Sequence, residues 1–173
     1  MRKTLVLRAV TAAVVAIAIT FIQSHDAIVG LIAVLALSTG VLAAEIWQAI
    51  AFDERQVRGT IIRMAASSVV ISGLVSTAGL EVLTVMSMNV IFFGYAFFAI
   101  EVLRAVRGGW RTADGRDHLV LAVIHFLMTA LYVCNVAGLF QLGEVPAVGF
   151  LGAYAGILAV LWGLRAFDPK RPS

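Results

Sequence analysis

Residues 28–50 read IVGLIAVLALSTGVLAAEIWQAI. Glu45 is the one charged side chain in the stretch, and it comes near its end. An α-helix rises about 1.5 Å per residue, so these residues reach about 34 Å, enough to cross a hydrocarbon core about 30 Å thick. Strands of a membrane barrel would alternate polar and apolar positions over about ten residues, and this stretch does not.

Working outward, five more stretches read the same way: Leu5–Ile22, Ile61–Thr77, Val82–Val106, Leu119–Phe140 and Val145–Phe167. The expected fold is all-α, a single membrane domain over residues 1–173 with six transmembrane helices. A short basic tail, 168–173, follows the last of them. Composition agrees. The 173 residues are 61% hydrophobic and 13% charged, with a mean hydropathy of +0.99. A soluble domain carries roughly 45–50% apolar and about 25% charged residues. Six spans use roughly 120 residues, which leaves loops and tails but no separate soluble domain. The first stretch follows Arg2 and Lys3 as a signal peptide would. Arg8 interrupts it, however, and Ser24-His25-Asp26-Ala27 is a poor cleavage site, so it reads as a retained helix.

Charge sets the expected orientation. All 13 Lys and Arg residues fall at the termini, in the second and fourth loops, or at the adjoining helix ends. The first, third and fifth loops carry His25 and Asp26, then Glu81, then Glu144. Basic residues near helix ends stay cytoplasmic, so both termini are expected in the cytoplasm. The same residues suit anionic lipid headgroups. Topology accounts for them, and nucleic-acid binding is not expected.

The outer loops are short, so consecutive helices are expected to pair as three antiparallel hairpins, about 5–50, 61–106 and 119–167. The hairpins also resemble one another. Arg8 precedes Val14-Val15 as Arg63 precedes Val69-Val70. Glu45-Ile46-Trp47-Gln48-Ala49 aligns with Glu101-Val102-Leu103-Arg104-Ala105, and a diverged third copy reads Trp162-Gly163-Leu164-Arg165-Ala166. Arg8 and Glu45 are 37 residues apart, and Arg63 and Glu101 are 38. In a hairpin each pair shares one depth, where pairing relieves the cost of a charge in the membrane. Two ion pairs are therefore expected, Arg8 with Glu45 and Arg63 with Glu101. They read as packing clamps or, in the sharper reading, as a charged cytoplasmic gate.

His125, Thr129 and Tyr132 follow at i, i+4 and i+7 on one face of the fifth helix, and Asn135 extends that face. Ionisable groups inside a span are functional candidates, and histidine changes charge between about pH 5 and 8. The stripe reads either as a proton path or as neutral polar packing against Thr84, Ser87 or Asn89. The sixth helix carries Gly149, Gly152, Gly156 and Gly163 on one small face. It reads as a packing seam within the chain or between two copies. Trp47, Trp110 and Trp162 read as interfacial anchors. The ten residues 108–117 read as a flexible loop without a phosphate cradle. Cys134 is alone, and the three histidines form no metal-ligand motif. No catalytic motif, cofactor site or metal site is expected.

The Arg-led segments Leu7-Arg8-Ala9 and Ile62-Arg63-Met64, and the helix end Ala44-Glu45-Ile46-Trp47-Gln48-Ala49, resemble the HdeD family of bacterial inner-membrane proteins. This family is also called the DUF308 short-repeat family. The resemblance implies an inner-membrane location and a non-catalytic role in acid or envelope stress. It supplies no catalytic residues. The alternative drawn from the residues themselves is a small transporter or proton-conducting channel using the stripe on the fifth helix.

Overall fold

The computed structural model describes residues 2–51 and 55–168. Six helices follow in order: α1 Arg2–Phe21, α2 Ala27–Ala51, α3 Arg55–Ser76, α4 Val82–Gly108, α5 Ala113–Val136 and α6 Glu144–Phe167. All six are long and apolar enough to cross a membrane. No strand occurs among the described residues. The basic tail lies outside them beyond Asp168.

Three helix ends depart from the sequence expectation by more than three residues: α3 begins at Arg55, six residues before Ile61, and the other two belong to α5. It begins at Ala113, six residues before the apolar run starts at Leu119. It closes at Val136 rather than Phe140, because Gly138 takes a left-handed conformation at φ 72°. There the Leu139 N–H bonds back to the Cys134 carbonyl at 3.0 Å, which uses up a carbonyl the helix end would leave open.

The chain divides into two compact units. The first takes residues 1–62 and 142–173 and contains α1, α2 and α6. Here α1 makes its most extensive contact with α6 and a smaller one with α2, and α2 also touches α6. The second takes residues 63–141, with most of α3, α4 and α5. Its dominant contact is α4 along α5. The largest helix contacts therefore run between α1 and α6 and between α4 and α5, across the boundaries of the three expected hairpins.

Small residues explain the α1–α6 contact. A Cβ on Gly152 would lie 2.8 Å from Ile19 Cγ2, and one on Gly156 would lie 3.9 Å from the Ala16 methyl. The backbones approach closely at Gly152, where a methyl group would collide with Ile19, whereas at Gly156 a methyl would make an ordinary contact. Gly149 and Gly163 belong to the same small-residue series, yet a Cβ on either would meet open space. Gly152 thus serves packing within one chain.

Outward faces are apolar. Val10, Val14 and Ile17 on α1 and Val123, Phe126 and Leu127 on α5 are all exposed. A soluble monomer does not leave so much apolar surface open, whereas lipid covers it at no cost. Trp47 and Trp110 are exposed in the manner of anchors, but Trp162 is 1% exposed and belongs to the core of the first unit.

Candidate functional site

The start of α5 builds the most unusual polar cluster. Gly109 is left-handed at φ 83°, which folds residues 109–112 into a turn closed by the Thr112 N–H donating to the Gly109 carbonyl at 2.8 Å. The Thr112 hydroxyl then accepts the Gly115 N–H at 3.0 Å and caps the helix. Gly115 is required by closeness, since a Cβ there would lie 2.2 Å from the Gly109 carbonyl oxygen. This turn converts part of the expected loop into helix. It places Asp114 in the first turn, where a carboxylate is favoured by the helix dipole. Asp114 and His118 become neighbours at i and i+4.

The antiparallel α4 brings Glu101 to the other side of the same imidazole. His118 Nδ1 is hydrogen-bonded to Glu101 Oε2. His118 Nε2 lies 3.6 Å from Asp114 Oδ2. Arg104, one turn beyond Glu101, sets Nη1 3.8 Å from Glu101 Oε1. Glu101 is 2% exposed and His118 6%, whereas the Asp114 side chain is 47% exposed. The imidazole therefore stands between a buried carboxylate and one that reaches solvent. A carboxylate only accepts, so the neutral imidazole carries its hydrogen on Nδ1 toward Glu101 and keeps the lone pair of Nε2 toward Asp114.

The predicted stripe on α5 continues along the same interface. His125 is fully buried, with its ring 5.5 Å from that of Phe97. The Thr129 hydroxyl donates to the His125 carbonyl at 2.7 Å and sits where a Cβ of Gly94 would be, 2.3 Å away. Tyr132 is fully buried. Asn135 Nδ2 donates to Ser87 Oγ at 3.4 Å. Asn89, also on α4, is bonded by the Ser72 hydroxyl of α3 and donates to the Val85 carbonyl at 2.8 Å. His118, His125, Thr129 and Asn135 thus meet Glu101, Phe97, Gly94 and Ser87 in one continuous antiparallel register.

The first unit holds a second buried carboxylate. Arg8 Nη1 lies 2.9 Å from Glu45 Oε1, each side chain 1% exposed. Arg8 Nη2 donates to Gln48 Oε1 at 2.7 Å, and the Thr4 hydroxyl donates to the same oxygen at 3.2 Å. Hairpin spacing brings Arg8 and Glu45 to one level, as the sequence expects. The same spacing matches Arg63 with Glu101. Groups placed against the Glu101 carboxylate include His118 and Arg104, and Arg63 lies on the exposed side of α3. Among the described residues, each unit therefore buries one carboxylate near a helix end. Glu45 is held by a guanidinium that never loses its charge, and Glu101 by an imidazole that can.

Comparison with family models, with curated proteins and with solved structures gives no match to this chain. The site accordingly rests on its own chemistry. Among the described residues no three His, Cys, Asp or Glu side chains are grouped to hold a metal ion. Sequence reasoning left Asp114 in a loop. The available signal was Thr112 followed by an acidic first turn, a helix-start pattern.

Proposed function

We propose that this is a non-catalytic, multi-pass inner-membrane protein that responds to acidity, with both termini in the cytoplasm. The observation that carries the reading is the imidazole of His118 between buried Glu101 and half-exposed Asp114. Histidine changes charge between about pH 5 and 8, so a membrane helix pair joined through an imidazole alters its internal electrostatics over the range an acidifying cell crosses. The segregation of basic residues supports the orientation. The resemblance to HdeD supplies the acid- or envelope-stress setting. Close packing of the α5 stripe against Phe97 and Gly94 favours a braced interface over a conduit.

Survival after acid challenge tests the reading. A strain lacking the protein should survive less well, and the wild-type chain should restore it. His118→Gln should fail to restore survival while reaching the same level in membranes. Full restoration by His118→Gln, or no defect on deletion, would overturn it.

A further inference from the structure

The acid-responsive reading needs a route for the proton, because His118 is 6% exposed. We infer that Asp114 is the proton-collecting group for the buried Glu101–His118 pair, passing protons between solvent and Nε2 of the imidazole. This inference rests on that reading and adds a residue and a direction to it.

The geometry supplies the order. The Asp114 side chain is 47% exposed, which keeps one end of the chain in water. Its Oδ2 is 3.6 Å from Nε2, within ion-pair range but beyond hydrogen-bond length, so the transfer requires the Asp114 side chain to approach the ring. The opposite nitrogen, Nδ1, is occupied by Glu101. Charged groups placed against the imidazole include Glu101 from α4 and Asp114 from α5, with Arg104 of α4 on the far oxygen of Glu101.

The step balances. The Asp114 carboxylate takes a proton from a hydronium ion, whose O–H bond breaks to leave water, and forms a new O–H bond. That bond breaks as the lone pair of Nε2 accepts the proton, and the carboxylate is regenerated. Nδ1 keeps its hydrogen toward Glu101 throughout. One proton has entered, and the neutral imidazole has become an imidazolium between two carboxylates. Nε2 has changed from acceptor to donor, aimed at Asp114. In the reverse direction Asp114 takes the proton back and releases it to water.

Arginine at 104 cannot perform this exchange, since its guanidinium keeps its proton at any physiological pH. Glu101 cannot collect from solvent, being 2% exposed. Asp114 is therefore the group with both an open side and a nitrogen to serve.

The experiment is NMR of the imidazole carbons of the full-length chain in lipid nanodiscs, at low buffer concentration across about pH 5–8. The three histidine signals are assigned with His25→Gln, His118→Gln and His125→Gln. Relaxation dispersion near the midpoint of the His118 signal gives its protonation rate. A positioned acid–base group typically contributes about 10²–10⁴-fold, so Asp114→Asn should slow protonation at least about tenfold. Asp114→Glu should restore it, and added acetate should accelerate the Asp114→Asn protein but not the wild type. Rescue by a free carboxylate is a response that a merely structural Asp114 would not give. An unchanged rate in Asp114→Asn overturns the relay and leaves the acid-responsive reading in place. A His118 signal that does not move with pH overturns both.

Discussion

The carboxylate of Glu144, the first residue of α6, accepts the backbone N–H of Ala27, the first residue of α2, at 3.0 Å. Asp26 accepts the Val29 N–H of the same helix at 2.9 Å. Two of the four amides that a helix start leaves open are thus satisfied by side chains, one of them from a residue 117 positions away. Caps of this kind contribute about 0.5–2 kcal/mol, and the exposure of Glu144 puts it at the lower end. Glu144→Ala should lower the thermal midpoint in detergent micelles, and Glu144→Gln, which still offers an oxygen, should lower it less. Equal midpoints for Glu144→Ala and wild type would show that the contact contributes nothing.

Asp26 adds a pH dependence to that end. The Val29 N–H and, after it, the Ser24 hydroxyl hold its carboxylate below the ordinary range. A depressed folded-state value means that the stabilisation is present above the unfolded value of about 3.9 and is lost as the pH falls through the folded one. The fall in thermal midpoint below about pH 4 should therefore be shallower in Asp26→Asn than in wild type. Matching pH profiles would exclude Asp26 as a source of acid sensitivity.

The buried pair of Arg8 and Glu45 should behave differently from a surface bridge. Removing one partner of a buried pair costs about 3–5 kcal/mol, because the remaining charge is stranded. Arg8→Met should be strongly destabilising, and Glu45→Leu on top of it should recover much of the loss. Gln48 would still offer its oxygen to Thr4. A double-mutant cycle of thermal melts measures the coupling. Additive losses would mean that the two charges do not depend on each other.

Close approach at Gly94 gives a steric prediction. Thr129 is β-branched and tied to the His125 carbonyl, so it yields little to a methyl group placed 2.3 Å from its hydroxyl. Overpacking typically costs about 1–3 kcal/mol. Gly94→Ala should be destabilised by that amount, and Thr129→Ala in the same chain should relieve it. Gly73→Ala on α3, where a Cβ meets open space, is the control and should be neutral or slightly stabilising. Comparable losses at Gly94 and Gly73 would show that packing at Thr129 is not the cause.

Six apolar runs were readable because a membrane span needs length and hydropathy, which one stretch such as 28–50 displays by itself. Partner choice was harder to read. The Arg8–Glu45 spacing follows from hairpin geometry, since both residues sit at one depth of sequence-adjacent helices. Glu101 faces His118 because α4 packs along α5, a contact that the alignment of repeats does not encode. Asp114 and Asp117 interrupt the apolar pattern, so hydropathy starts the helix at Leu119, whereas the Thr112 cap starts it at Ala113. Trp162 shows the same limit. On a helix that is apolar on every side, composition does not tell the lipid face from the buried one.

The stripe on α5 leads to the last prediction. A proton path needs groups that hand a proton onward, and most of the polar groups here are turned to local partners. The Thr129 hydroxyl is directed to a carbonyl of its own helix, and Phe97 lies against the His125 ring. Asn135 and Ser87 neither gain nor lose a proton at physiological pH. Liposomes containing the purified protein and an internal pH dye should therefore leak protons at the rate of empty liposomes, and His125→Ala should leave that rate unchanged. Steady flux that disappears in His125→Ala would reverse the argument. It would make the α4–α5 interface a conducting one, with His125 as the group that passes the proton.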